Sequence, residues 1–375
     1  MSVPLLDLNR QNASLHSELV AAFEKVLRSG HFILGGEVES FEREAAAFLG
    51  AKHAISVSSG TDAILVALMA LGIGPGDEVI CPSFTFFATA GCIARLGATP
   101  VFADVHADTF NLDAADVARR ITPRTKAIMP VHLFGQSAAM EPLLALARQH
   151  NLAVIEDAAQ ALGARQHGRC CGTIGDFGTY SFFPSKNLGG FGDGGLVATN
   201  RDDLAEKVRL LRTHGSKPKY YHKVVGGNFR LDALQCALLR IKLPHLPAYC
   251  AARQRNAAYY GSRLAGLGGL TLPQPAVGND HIWNQYTLRV GGHGRRDALR
   301  QHLTAAGIGA EIYYPLPLHQ QECFAGLPKV SLPTTEALAR EVISIPIFPE
   351  LTEREKTEVA DSVIAFSKLS GTVAA

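Results

Sequence analysis

The sequence predicts an α/β protein with a large domain, built on a mostly parallel mixed sheet flanked by helices, and a smaller C-terminal α+β domain. Short apolar runs alternate with amphipathic segments, which is the strand–helix rhythm of a mostly parallel sheet. At 375 residues the chain is longer than a single hydrophobic core usually supports, so two domains are expected. With 47% hydrophobic and 19% charged residues, the composition is that of a globular protein.

Two amphipathic helices are predicted to open the chain, the first ending at Gly30 and the second at Gly50, because apolar residues recur on one helical face before each glycine. The strands predicted next are the apolar runs 54–57, 78–81, 100–103, 127–131, 153–155, 179–183 and 196–199, with helical patterns between the first five. Segments 231–243 and 249–264 then read as helices.

The C-terminal part of the chain is predicted to form the smaller domain. Glycine and proline become more frequent beyond about residue 267, and a strand at 285–290, a helix at 296–306, a strand at 310–313 and a final helix follow. We therefore predict a large domain over residues 1–250 and a small domain over residues 251–375.

Charge and cysteine usage exclude several classes of function. A net charge of +2 gives no basic field for nucleic acid or a membrane surface, so small-molecule partners are expected. His319 and Cys323 lie four residues apart, but no second pair of ligands accompanies them, so no metal site is predicted. The N-terminus lacks the pattern of a signal peptide, and a cytoplasmic location is expected.

The first candidate site is the polar turn Ser58-Ser59-Gly60-Thr61-Asp62 between a predicted strand and helix. Ligands of open α/β sheets bind at the carboxyl ends of the strands. Backbone N–H groups and the dipole at a helix N-terminus favour a phosphate there. A simple capped helix start is the alternative interpretation.

The second candidate is Asp157, in the segment Ile155-Glu156-Asp157-Ala158-Ala159-Gln160, where a buried apolar run ends in two carboxylates. A buried carboxylate needs a cationic partner. The protonated nitrogen of a pyridine ring would supply one, and an acid at that nitrogen strengthens the ring as an electron sink. A helix cap is the alternative, and local sequence does not separate the two.

The third candidate is Lys186, which follows a strand end and a turn at Pro184. A partly desolvated lysine has a lowered pKa and becomes the nucleophile that Schiff-base chemistry requires, whereas an isolated lysine is usually an exposed loop residue. The neighbouring stretch Gly190–Gly195 matches a dinucleotide-binding pattern by letters but leads into a predicted strand instead of a helix, so a nicotinamide-dependent dehydrogenase is disfavoured.

In this order, the motifs SSGTD, GDEVI (76–80), PSFTF (82–86), EDAAQ, SFFPSKN and GNFRLD (227–232) resemble those of the DegT/DnrJ/EryC1/StrS family of pyridoxal 5'-phosphate (PLP) dependent sugar aminotransferases. The resemblance runs from about Leu5 to Phe366. It implies the type I fold of PLP-dependent transferases and a homodimer in which both subunits build each active site.

The resemblance also implies roles for individual residues. Lys186 would hold the cofactor as a Schiff base and move protons, Asp157 would pair with the pyridinium nitrogen, and Gln160 would contact the ring hydroxyl. Phe86 would stack on the ring, although a core phenylalanine is the reading without the family. The residues expected at the phosphate are Gly60, Thr61, Ser181 and, from the neighbouring subunit, Asn228.

The implied reaction has two stages: glutamate converts PLP to pyridoxamine 5'-phosphate, which then aminates a ketone. The segment from Tyr313 and Tyr314 to His319 resembles members that aminate C3 of a dTDP- or UDP-linked 3-ketosugar, and His31 is a candidate sugar contact, with a surface loop as its alternative. Amination at C4, a free cyclitol substrate, a dehydratase and a non-catalytic regulator stay open, although Lys186 and Asp157 disfavour the last two.

Overall fold

A computed structural model describes residues 2–371 of the chain. The strands in that range are β1 (His53–Val57), β2 (Glu78–Pro82), β3 (Thr99–Ala103), β4 (Thr125–Ile128), β5 (Ala153–Asp157), β6 (Arg165–Gln166), β7 (Arg169–Cys170), β8 (Phe177–Ser181), β9 (Gly195–Thr199), β10 (Leu270–Thr271), β11 (Asn279–Asp280), β12 (Tyr286–Val290) and β13 (Val342–Ile345). The α-helices are α1 (Leu8–Ala13), α2 (His16–Ser29), α3 (Gly36–Leu49), α4 (Gly60–Ala70), α5 (Ala88–Arg95), α6 (Ala114–Arg120), α7 (Met140–His150), α8 (Asp202–Leu211), α9 (Ala233–Lys242), α10 (Leu246–Leu264), α11 (Arg295–Ala305), α12 (Pro333–Glu341) and α13 (Glu353–Gly371).

A seven-stranded sheet in the order β1-β9-β8-β5-β4-β2-β3 forms the centre of the large unit. All its strands run parallel except β9, which is antiparallel to both β1 and β8. One face packs against α4, α5 and α8, and the other against α3 and α9. The strands are buried on both faces, which is why they read as continuous apolar runs. The predicted fold class is confirmed.

The smaller unit packs helices against the antiparallel sheet β10-β12-β13. Its core gathers apolar residues of α10, β12, α11, β13 and α13. Val3 belongs to the same core and pairs with Ile308 in a β-bridge, so the N-terminal segment packs against the C-terminal unit. None of the helices within residues 2–371 combines the length and the apolarity that crossing a lipid bilayer requires.

The predicted boundary at residue 250 falls inside α10. Leu246 and Cys250 pack into the core of the large unit, whereas Ala257, Tyr260 and Leu264 pack into that of the small one. A continuous helix thus joins the two units.

The predicted strand at 310–313 was wrong. Only Glu311 pairs, through an isolated bridge with Ser344 of β13. Pro315 and Pro317, which follow, lack the backbone N–H that a further ladder would need. The segment instead continues as part of the wall of a cavity at the edge of the large sheet.

Candidate active site

A cavity of about 690 Å³ opens at the carboxyl edge of the large sheet. It is lined by residues that follow β1, β2, β4 and β8, by Asp157 at the end of β5, by two residues just before β12, and by a stretch between α11 and α12. Most of the predicted site residues meet there: Gly60, Thr61, Phe86, Asp157, Gln160, Ser181, Lys186, Tyr313 and Tyr314. The parallel strand order brings them together, because the carboxyl ends of parallel strands share one edge.

One corner of the cavity is the start of α4. The Ser59 hydroxyl caps this helix by accepting a hydrogen bond from the Asp62 N–H at 3.0 Å. A Cβ atom at Gly60 would lie only 2.7 Å from Ser181 Cβ, so this close approach of β8 requires glycine. The SSGTD turn is thus a capped helix start, and it also presents a helix N-terminus to the cavity, where the phosphate contact stays a prediction.

Asp157 lies at the bottom of the cavity and is only 4% exposed. Its Oδ2 atom accepts a hydrogen bond from the Thr89 hydroxyl at 2.8 Å, and Oδ1 accepts one from the Ala159 N–H at 3.2 Å. Burial raises the pKa of this carboxyl, although both hydrogen bonds and the nearby charge of Lys186 oppose the increase. Among residues 2–371, no basic side chain forms an ion pair with it.

Lys186 follows a turn in which its backbone N–H donates to the Phe183 carbonyl at 2.8 Å. Burial lowers the pKa of its amine to about 8, against the opposing effect of the Asp157 charge. The next residue is anchored in the interior, because the Asn187 amide donates to Ile282 O at 3.2 Å and accepts from Asn284 at 2.9 Å. Lys186 thus places an amine with a lowered pKa in the same cavity as the buried acid.

Aromatic side chains form a wall of the cavity. Phe86 is 58% exposed, and its ring centroid lies 6.4 Å from that of Tyr314. The orientation of the Gln160 amide is fixed, since its Oε1 accepts from the Phe134 N–H at 2.7 Å while its Nε2 faces the Tyr314 hydroxyl at 3.4 Å. A large exposed phenylalanine in a cavity has an apolar face available for a planar ligand.

Three predicted residues lie away from this cavity. His31 and Asn228 are exposed in loops. His319 is the third, and its side chain is 5% exposed. Its Nδ1 faces the Ser83 hydroxyl at 2.7 Å, and its Nε2 lies 3.4 Å from Glu336 Oε1. Sugar contacts of His31 and His319 and the phosphate contact of Asn228 stay predictions.

Sequence reasoning missed Thr89, which bonds directly to Asp157, and Thr85, whose hydroxyl lies 3.1 Å from that of Thr89. No local signal marks this pair, since Asp157 is 68 residues away from Thr89 along the chain. It also missed the polar cavity residues Ser185, Asp193, Asn284 and Gln285. The polar character of Ser185 and Asp193, close to Lys186 in sequence, was the available signal.

A lysine and a buried carboxylate lie at the carboxyl edge of this sheet beside a helix N-terminus, an arrangement that fits the active site of an α/β aminotransferase. The comparisons with known proteins give the particular family. The chain belongs to the DegT/DnrJ/EryC1/StrS aminotransferase family, whose profile matches residues 13–364.

Similar proteins cover almost the whole chain. A protein of Geobacillus stearothermophilus named "pleiotropic regulatory protein" is 50% identical over 98% of this chain and 99% of its own length. The UDP-N-acetyl-3-dehydro-alpha-D-glucosamine 3-aminotransferase of Acidithiobacillus ferrooxidans is 46% identical over 96% of each chain. The crystal structure of Streptomyces venezuelae DesV in complex with a ketimine intermediate superposes with a TM-score of 0.94, at 47% identity and 98% coverage of both chains.

Proposed function

We propose that this aminotransferase uses PLP to move an amino group from glutamate to C3 of a nucleotide-linked 3-ketosugar, for the biosynthesis of an amino sugar. The observation that carries the cofactor assignment is that Lys186 shares a cavity with the buried Asp157, which forms no ion pair within residues 2–371. The family is PLP-dependent, and the substrate assignment is supported by the 3-aminotransferase of A. ferrooxidans.

The residues present fit this cofactor. Asp157 would hold the ring nitrogen, because a buried carboxylate without a cationic partner is stabilised by a pyridinium N–H. The N-terminus of α4 at Gly60 and Thr61, with Ser181 beside it, would hold the phosphate. Phe86 would cover a ring face, and Gln160, which lines the same cavity, would contact the ring hydroxyl.

When bound, PLP supplies an aldehyde that takes up the amino group and a ring that stabilises negative charge on the reacting carbon. The part played by the chain is to bind the cofactor through the Lys186 amine and then to use Lys186 Nζ to move a proton. With a pKa of about 8 this amine exists in both protonation states near neutral pH, which suits a group that must take up and release protons. A dehydratase is disfavoured, since such family members carry histidine in place of this lysine.

Four details extend the proposal. Tyr313 and Tyr314 lie in the cavity wall and are the proposed sugar contacts, with His31 and His319 as candidates outside it. The protein is proposed to be a cytoplasmic homodimer, with Asn228 of each subunit reaching the phosphate site of the other. Pyridoxamine 5'-phosphate would be the form present between the two stages. The alternative acceptors are a nucleotide-linked 4-ketosugar and a free cyclitol ketone.

A transamination screen tests the substrate. Purified enzyme with PLP and ¹⁵N-glutamate is incubated with 3-keto and 4-keto sugars linked to UDP or dTDP, and with a keto-cyclitol, and products are read by mass spectrometry. We expect ¹⁵N in a 3-amino nucleotide sugar. Label found only in the 4-amino product or in the cyclitol would overturn the C3 assignment.

The name of the G. stearothermophilus relative raises a regulatory role as the competing function. The colour of the purified protein separates the two. We expect a yellow protein whose visible band disappears on borohydride reduction, with the mass of reduced cofactor added at Lys186. A colourless protein that takes up no PLP would remove the enzymatic proposal.

A further inference from the structure

A second, fully buried pair of ionisable residues lies directly behind Asp157. Glu156 precedes Asp157 in β5, so its side chain points to the opposite face of the sheet. Its carboxylate meets the His132 ring, with Nε2 and Oε2 2.8 Å apart, and both side chains are 0% exposed. Neither residue lines the cavity.

Glu156 is an anion held by N–H donors. Besides His132, its Oε2 atom accepts from the Gly172 N–H at 2.7 Å, and its Oε1 atom accepts from the N–H groups of Ile174 and Gly175, both at 2.6 Å. Gly175 is required for this turn, because a Cβ there would lie 2.8 Å from the Val154 carbonyl oxygen. Such convergent donors stabilise a buried carboxylate without a cation.

The hydrogen bonds also fix the form of His132. Its Nδ1 atom accepts a hydrogen bond from the Ala138 N–H at 3.0 Å, so Nδ1 carries no proton. The ring proton is therefore on Nε2, where it is donated to Glu156. His132 is a neutral ring in a single tautomer, and the ring cannot rotate without breaking a buried bond on each side.

This pair is tied to the backbone of Asp157. The His132 backbone N–H donates to the Asp157 carbonyl at 2.9 Å, and the Asp157 N–H donates to the Pro130 carbonyl, also at 2.9 Å. Residues 130–132 thus hold both peptide groups of Asp157. The side-chain bond from His132 to Glu156 fastens the same segment to β5.

We propose that Glu156 and His132 are positioning residues that act through Asp157 and set the direction in which its carboxylate faces the cofactor ring nitrogen. This inference rests on the proposed PLP chemistry. Among the described residues, Thr89 and the Ala159 N–H are the hydrogen-bond partners of the Asp157 carboxylate, so its direction also depends on the backbone that carries it. Loss of the hydrogen bond between His132 and Glu156 weakens the contact between Asp157 and the ring nitrogen, which keeps that nitrogen protonated.

The test compares His132→Leu, which removes both ring hydrogen bonds, with His132→Gln, which keeps a donor. Ser137→Ala is the matched control, since Ser137 is buried in the same loop but its hydroxyl donates to Ala138 O instead of to the pair. Each protein is loaded with PLP carrying ¹⁵N in the ring, and the ring-nitrogen chemical shift is followed against pH. Thermal midpoints are measured in parallel.

We expect the ring nitrogen of His132→Leu to lose its proton at a pH lower than in wild type by about 0.5 unit or more, with a smaller shift in His132→Gln and none in Ser137→Ala. If the His132 variants lose thermal stability while their ring-nitrogen titration matches wild type, the pair is structural only and the inference fails. Should His132→Leu not fold, the same criterion applies to His132→Gln. Wild-type protein that takes up no PLP would instead refute the proposed function.

Discussion

Two parts of the proposed site, the floor of the cavity and the exposed loops, differ in whether a single chain brings their residues together. On the floor, Asp157 ends β5, Ser181 and Lys186 stand at the end of β8, and the start of α4 follows β1, and the single chain brings them together. In the exposed loops, His31 and Asn228 lie outside this cavity. The sheet edge therefore brings the residues of the proposed cofactor site together within one chain, whereas the proposed role of Asn228 requires a second copy of the chain.

Removing the Lys186 amine from the floor of the cavity should have the largest effect on activity. We expect Lys186→Ala to lower kcat by a factor on the order of 10⁴ or more, because it removes both the cofactor attachment and the proton carrier. Lys126→Ala, at an exposed position of β4, is the control and should leave kcat unchanged. Steady-state kinetics measure the difference. Full-speed turnover by Lys186→Ala would refute the role of this residue.

The proposed role of Asn228, in one of the exposed loops, can be tested by mixing two defective variants. If Asn228 completes the site of the neighbouring subunit, Lys186→Ala and Asn228→Ala chains should be poor enzymes alone. Unfolded and refolded together in equal amounts, they should recover about one quarter of wild-type activity, since half of the dimers would be mixed and each would hold one intact site.

Refolding each variant by itself gives the baseline for that experiment. No recovery above this baseline, together with a normal dimer content by light scattering, would show that Asn228 does not act across subunits.

The pH dependence of cofactor uptake should depend on Lys186 on the floor of the cavity. Burial lowers the pKa of Lys186 to about 8 from its ordinary 10.5, and only the neutral amine attacks an aldehyde. Below that pH the uptake rate of the cofactor-free protein should therefore fall about tenfold per unit, and above it the rate should level off. Stopped-flow absorbance measures it, and a rate that does not change between about pH 6 and 8 would contradict the assignment.

The same shift has a consequence for stability. Burial disfavours the protonated form of Lys186 in the folded state. The resulting loss of folding free energy is fully present below a pH of about 8 and disappears as the pH rises to 10.5. Cofactor-free Lys186→Met should thus be more stable than wild type at neutral pH, and the gain should shrink in that window. Chemical denaturation at several pH values measures the gain.

The strand pattern of the sequence indicated the positions of Asp157 and Lys186, because Asp157 ends a buried apolar run and Lys186 follows one. Ser181 was predicted from the family resemblance instead, since the sequence placed it inside a strand. The same reasoning missed Thr89, whose partner is distant in sequence, and α8, although Leu204, Val208 and Leu211 have helical spacing. It also read 310–313 as a strand, since local β-propensity does not show whether a partner strand is available.

His319 lies outside the cavity but is buried, with a side chain that is 5% exposed. Its replacement should have the smallest effect on activity. The Ser83 hydroxyl accepts a hydrogen bond from the His319 backbone N–H at 3.0 Å and lies 2.7 Å from the ring Nδ1, while the ring Nε2 lies 3.4 Å from Glu336 Oε1. The ring is thus enclosed by the protein, and we expect His319→Ala to cost about 1–2 kcal/mol of folding free energy while KM for the sugar changes less than about twofold. Denaturation and steady-state kinetics on the same preparation, with His319→Asn as the conservative variant, separate the two effects. A large rise in KM at unchanged stability would instead place His319 in contact with the substrate.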